Sequence, residues 1–163
     1  MATIQSIVYR PLDQEYDKRF DNFLRVSAQR VHLRAGHGVE GDRKAVHGSS
    51  RQLNIIPTDW LAERRAEGYR TGPGEMGEQL VVEGLAFAEM APGQRLQLGS
   101  QAVIELTQTR TGCERLDAAQ PKPLSEALKR AGVGYMARVI AGGEISVGEP
   151  VTVLEVQTKS RTA

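Results

Sequence analysis

The chain has 163 residues, 40% of them hydrophobic and 25% charged, and a mean hydropathy of −0.37, values of an ordinary globular protein that exclude a disordered chain. Twenty-one Lys and Arg stand against 20 Asp and Glu, so the net charge of +1 gives no general attraction to nucleic acid or to an anionic membrane. No run approaches the ~18 consecutive apolar residues of a membrane helix, and the opening Met1-Ala2-Thr3-Ile4-Gln5 has no basic segment followed by an apolar one, so a cytoplasmic protein is expected.

Seventeen glycines and seven prolines punctuate short apolar stretches along the whole length, a pattern of many short strands joined by turns. In chain order, strands are predicted over 3–9, 24–33, 52–56, 79–82, 94–98, 102–107, 136–141 and 150–156. Leu96 and Leu98, then Ile104 and Leu106, show the period of two that puts apolar groups on one face. Val151, Val153, Leu154 and Val156 leave neither face polar, as for a strand buried on both sides or closing a barrel. Two helices are predicted. Thr58 can cap one over 58–67 that stops at Gly68, and Leu124 and Leu128 lie four apart in the other, over 122–131, with a Glu126–Arg130 pair and Gly132 after it. These elements predict a mainly β fold, a barrel or strongly bent sheet with the helices packed outside. About 150 residues is a soft prior for one domain, so a single domain over 1–157 is expected, with a short polar tail at 158–163.

The charge is unevenly spread. Residues 25–51 hold Arg25, Arg30, Arg34, Arg43, Lys44 and Arg51 against Glu40 and Asp42, six cations to two acids, together with His32, His37 and His47. Residues 52–105 hold four arginines against eight acids. A cationic segment in a near-neutral protein suits a small anionic ligand better than a long polyanion. Within it, Gly36-His37-Gly38-Val39-Glu40-Gly41 satisfies G-x-G-x-x-G after a strand, but residues 42–50 lack the helical period that a dinucleotide-binding turn must open into. The glycines are better read as permitting tightly turned backbone in a loop. The three histidines with Asp42 could ligate a metal by residue type, yet their spacing matches no zinc signature and His32 lies inside a strand pattern.

Cys113 is the single cysteine, so no internal disulfide and no multi-cysteine zinc site can form. In Thr109-Arg110-Thr111-Gly112-Cys113-Glu114-Arg115-Leu116 it follows a strand and precedes a stretch able to start a short helix. Between Arg110 and Arg115 such a thiol should ionise more easily than a free cysteine, making it a nucleophile or a soft-metal ligand; the alternative is a buried, inert side chain.

Taken together, these segments resemble a family. Gly38-x-x-Gly41-Asp42, His47-Gly48, Arg51-Gln52, Gly74-x-x-Gly77-Glu78-x-Leu80, Pro92-Gly93, Leu98-Gly99, Cys113 with Arg115-Leu116, Arg138-Val139 and Gly142-Gly143-x-Ile145-x-x-Gly148-Glu149-x-Val151 occur in the order seen in MOSC domains, named for the C-terminal domain of molybdenum cofactor sulfurases. Gln79 and Glu149 stand where that family usually has Asn and Asp, and Asp42 lies further from His47 than in the usual Gly-Asp-x-His pattern.

The resemblance implies a MOSC-type β-barrel with a few peripheral helices, and the molybdenum cofactor (molybdopterin) as its small-molecule partner, with no pyridoxal phosphate. It makes Cys113 either a molybdenum ligand in a small oxo-transfer reductase or a sulfur carrier, served by a redox or cysteine desulfurase partner. Gly41, Asp42, Arg43, His47, Arg51, Gln52, Glu78, Arg110 and Arg115 are the expected cofactor-binding set, a cradle of amides and guanidinium donors for a phosphate and a polar pterin. A pterin- or anion-binding module without chemistry is the alternative, and a thiol hydrolase using Cys113, His47 and Asp42 a third.

Overall fold

The computed structural model describes residues 1–13, 25–45 and 47–154. Its strands are β1 (Ala2–Tyr9), β2 (Val26–Ala28), β3 (Arg30–Arg34), β4 (Gly38–Val39), β5 (Leu53–Pro57), β6 (Leu80–Glu83), β7 (Arg95–Leu98), β8 (Ala102–Thr109), β9 (Tyr135–Ala141), β10 (Gly143–Ser146) and β11 (Pro150–Leu154). Its helices are α1 (Thr58–Ala66), α2 (Glu114–Ala119) and α3 (Glu126–Ala131), with a 3-10 turn over Phe87–Glu89. The main sheet runs β11-β7-β8-β9-β5-β6-β1, and β11 pairs back onto β1 to close a seven-stranded barrel. β2 adds to the far half of β1, and β10-β3-β4 form a separate small sheet. All pairings are antiparallel except β5 with β6, whose parallel run needs a crossover; α1 supplies it.

Alternation along the strands divides the apolar residues between two cores. Leu53, Ile55, Leu80, Val82, Leu96, Leu98, Ile104 and Leu106 point into the barrel. Ile56 and Val81, the intervening positions, point outward and meet Leu61, Tyr69, Met76, Leu116, Leu124 and Val133 beneath the helices. Each fully buried Leu or Ile stabilises the fold by about 1.5–3 kcal/mol relative to exposure. On the uncovered outer face Glu105 of β8 accepts from Arg95 of β7 at 3.0 Å and Arg138 of β9 at 2.7 Å. At the start of β9, Gly134 has φ +87° and a Cβ there would collide with the Ile55 carbonyl oxygen, so only glycine lets β9 lie this close to β5.

Several sequence expectations are corrected in detail. The strand expected over 24–33 is interrupted at Gln29, giving β2 and β3, while Leu24 lies outside the described residues. β11 closes the barrel but is not buried on both sides: Val151 is in the core, whereas Val153 is 41% exposed because the helices pack over β5 and β6 instead. Thr58 does not cap α1; Pro57 is the N-cap residue, and Thr58 Oγ1 donates to the Val82 carbonyl at 3.1 Å. The last helix begins at Glu126, not 122, capped by Ser125 Oγ, which accepts from Leu128 N at 3.2 Å. Pro121 follows an extended Gln120, at φ −106° and ψ 156°, as a residue before proline favours. Lys129, rather than Arg130, lies nearest Glu126, at 3.8 Å. Val156 and the tail at 158–163 lie outside the described residues. No helix among those described is long and apolar enough to cross a membrane.

Candidate functional site

On the outer face of β5 and β9, beside the barrel, lies a cleft of about 260 Å³. Asn54 of β5 and Met136 of β9 form its floor, because they occupy the outward positions between core-facing neighbours. Arg51 enters just before β5, Gly77 and Gln79 just before β6, Lys44 from the turn after β4, and Arg25 from the segment before β2. The far wall is the connection from β8 to α2, carrying Arg110, Thr111, Cys113 and Arg115. Among the described residues, five cations line the cleft and no carboxylate does.

Cys113 is exposed and is the N-cap residue of α2, its carbonyl accepting from Asp117 N at 3.0 Å while its side chain makes no cap bond. The buried, inert cysteine considered from sequence is therefore not what the fold builds. Arg110 is fixed through its backbone, donating to Gly134 O at 2.9 Å and accepting from Val133 N at 2.7 Å. Its side chain is buried, and Nη1 has no hydrogen-bond partner. Burial pushes the Arg110 guanidinium down to about 10, opposed chiefly by the neighbouring Glu78. Burial also lowers Arg25, against Asp42 and Glu78, which favour its charge. Arg25 Nη2 donates to Gly77 O at 3.3 Å, and its Nε and Nη1 are likewise without partners. Lys44 is lowered by burial and then by Arg10, Arg25 and Arg115, the effect of like charges crowded on one site. Arg51 Nε donates to Met136 Sδ at 3.0 Å, which holds the guanidinium over the floor.

The carboxylates lie behind this lining. Glu78 is buried, and its two oxygens accept from Gly74 N at 2.7 Å and Met76 N at 3.1 Å. Burial raises its pKa, against its own backbone amide, that of Gly74 and the charges of Arg110 and Arg25. Asp42 Oδ1 accepts from Arg10 N at 3.1 Å and Lys44 N at 3.0 Å, and Gln79 Nε2 donates to Oδ2 at 3.5 Å. Gln79 Oε1 in turn accepts from Asn54 N at 2.8 Å, so Asp42 ties the turn after β4 to the cleft floor.

Of the expected set, Arg51, Arg110, Cys113 and Arg115 converge on the cleft. Gly41, Asp42, Arg43, His47, Gln52 and Glu78 are outside its lining. Gly41 turns the chain at φ +80°, Arg43 Nη2 donates to Leu12 O at 2.6 Å, and Gln52 Oε1 accepts from Val139 N at 2.9 Å. His47 is exposed, close to Gly36. The Cys–His–Asp grouping of a thiol hydrolase is not assembled, since His47 is off the cleft and both Asp42 oxygens already accept hydrogen bonds. The G-x-G-x-x-G glycines lie in and after the β3–β4 hairpin, and among the described residues the next element is the strand β5, not a helix. Among the described residues no three His, Cys, Asp or Glu side chains group as a metal site. Asn54 and Met136 were not singled out by sequence; their one signal was an outward strand position beside an arginine-rich connection.

With this geometry in place, comparison with known proteins identifies the class. The MOSC domain family model matches residues 42–152, and the chain belongs to that family. It is 29% identical over 127 residues to a protein called "Reductase" from Gibberella moniliformis (strain M3125 / FGSC 7600), a match covering 76% of this chain and 22% of that protein. The chain thus spans under a quarter of that relative's length. Among solved structures it is similar to YiiM from Geobacillus stearothermophilus, with TM-score 0.70, 20% identity and coverage of 95% of this chain and 76% of that one. It is also similar to the YUAD protein from Bacillus subtilis, with TM-score 0.70, 16% identity and coverage of 93% and 94%. At these identities the two structures show a shared fold.

Proposed function

We propose that this MOSC protein binds the molybdenum cofactor in the Cys113 cleft, with Cys113 as the metal ligand. The carrying observation is that the thiol shares one cation-lined cleft with Arg110, whose buried Nη1 lacks a partner. Unpaired guanidinium donors fit phosphate oxygens, and a thiolate is a soft ligand suited to a heavy metal, so the donor set fits this group. Arg25, Lys44, Arg51, Arg110 and Arg115 would hold the phosphate and orient the pterin, while Asn54, Gln79 and Thr111 offer it hydrogen bonds. When bound, the cofactor supplies oxo-transfer chemistry at its metal. Glu78, fixed by two backbone amides, supplies a counter-charge behind Arg110 without entering the cleft. Asp42, Gln52 and Arg43 shape the cradle from outside through their backbone contacts. The relative called a reductase favours this reading. The exposure of Cys113 favours a second one, a carrier whose thiol accepts sulfur from a desulfurase partner. Either role needs a reduced thiol, which fits a reducing compartment such as the cytoplasm.

The test is elemental analysis of the full chain purified from a molybdenum-replete host, with Cys113→Ser alongside. Wild type is expected to carry about one molybdenum per chain under the proposed stoichiometry, and the serine variant to lose it, because a hydroxyl is far less acidic and is not a soft ligand. The melting temperature should hold or rise slightly, since Ser is a favoured N-cap and the native thiol makes no cap bond. Metal-free wild type would sink the proposal, as would a serine variant that kept its metal. Pterin without molybdenum, together with a persulfide on Cys113, would select the carrier.

A further inference from the structure

A second, larger cleft of about 630 Å³ lies at one end of the barrel, and the proposed function leaves it unused. α1 forms one wall with Asp59, Trp60, Glu63 and Arg64, and the 3-10 turn forms the other with Phe87. Tyr135, at the start of β9, closes the floor. The two clefts are back to back: Thr109 and Tyr135 line this one, while their chain neighbours Arg110 and Met136 line the Cys113 cleft. Strand alternation sends consecutive residues to opposite sides.

Their chemistry is opposite too. Among the described residues the Cys113 cleft carries five cations and no acid. In the second cleft Arg64 is the one lining cation among the described residues, and it is already held by two carboxylates, Glu63 and Glu67, each at 3.0 Å. Asp59 adds a third acid against that single guanidinium. The Arg64 side chain is 7% exposed, lies 5.1 Å over the Trp60 ring and makes no hydrogen bond through Nε. It is thus pinned at one end by carboxylates and along its face by the indole, which fixes Trp60 in place before any ligand arrives. The Phe87 and Tyr135 rings, 6.1 Å apart, are fixed as well, the tyrosine by its hydroxyl donating to Met90 O at 2.6 Å. The volume lies in the range of small-molecule sites, about 300–1,000 Å³.

We propose that this cleft binds a small aromatic amine, its ring among Trp60, Phe87 and Tyr135 and its ammonium toward Asp59 and Glu63. Aromatic walls supply apolar burial and edge or face contacts, and the acidic rim selects a cation over its neutral or anionic counterpart. The proposal stands independently of the molybdenum reading, because it uses none of the Cys113 lining.

Trp60 is the only tryptophan in the chain, so ¹⁵N-labelled protein gives one indole N–H resonance, and it reports on this cleft. Tryptamine, indole and indole-3-acetate share a ring and differ in charge. Tryptamine is expected to shift the Trp60 resonance saturably, with at least tenfold tighter binding than indole-3-acetate and indole between them. Asp59→Asn, which leaves both Arg64 bridges intact, should weaken tryptamine at least threefold and leave indole unchanged; Cys113→Ser should change neither. Equal binding of the three ligands, or of tryptamine to wild type and Asp59→Asn, overturns the proposal. So does a Trp60 resonance that moves with protein concentration alone, which would assign the cleft to a second copy of the chain.

Discussion

At the scale of single residues, Asp42 and Glu78 are written in the sequence as any exposed acid would be. What separates them from groups that face a ligand is which donors reach their oxygens: backbone amides from Arg10 and Lys44 for one, from Gly74 and Met76 for the other. Those donors come from segments distant in sequence or folded by glycines, so spacing could not show it. Arg51, Arg110 and Arg115 were legible because a basic stretch and a flanked cysteine are composition, which survives any fold. Arg51 and Arg43 looked alike in that stretch and separate only in the structure, where Arg51 lines the cleft and Arg43 Nη2 donates to Leu12 O. Arg51→Ala is therefore expected to weaken a phosphate-bearing pterin by about 1–3 kcal/mol, the loss of a charge-assisted contact, and less so at high salt. Arg43→Ala should weaken it less. Calorimetric titration of both variants at two salt concentrations checks this, and the reverse order would move the phosphate away from Arg51.

Among the elements, strands with period-two apolar residues such as β7 and β8 were readable, because alternation is local and the barrel interior demands it. β4 and β10 were not: Gly38–Val39 and Gly143–Ser146 are short and glycine-led, and become strands only by pairing with β3. α2 and α3 are similarly short, and they hold each other through Asp117. Its Oδ2 accepts from Lys129 Nζ at 2.7 Å and its Oδ1 from Leu124 N at 3.0 Å, bracing the helix that carries Cys113. The Lys129 bond first, and then the Leu124 amide, hold the Asp117 carboxyl below its ordinary 3.8. A carboxyl depressed in the folded state contributes stability that is present above the unfolded value and lost as pH falls through the folded one. The melting temperature should accordingly drop as pH falls below about 3.8, and Asp117→Asn should lower it at pH 7 and flatten that acid limb. An unchanged acid limb in the variant would show that the clamp contributes nothing.

For the whole molecule, the barrel was foreseeable from many short strands and few helices, but the strand order was not, since pairing partners such as β1 and β11 stand at opposite ends of the described chain. Their seam is small: Ala2 faces Val151 and Thr3 faces Pro150, extended by backbone bonds from Ile4 N to Glu149 O and from Gly148 N to Ile4 O. Its consequence belongs to time rather than to equilibrium. The β7–β8 hairpin can zip as soon as its own turn closes, whereas the seam brings together ends with nearly all the intervening chain between them, and loop closure that long is slow. On this basis the ring closes after the transition state for folding. Val151→Ala should then speed unfolding while leaving refolding nearly unchanged, a φ-value near 0, and Ile104→Val in the hairpin should slow refolding. Chevron plots of the two variants decide it, and slowed refolding in Val151→Ala would place the seam in the nucleus. If closure does come last, β5, β6 and β9 with the cleft on their outer face are already paired while the ring stands open, and a ligand present during folding would meet its cradle before the barrel is whole.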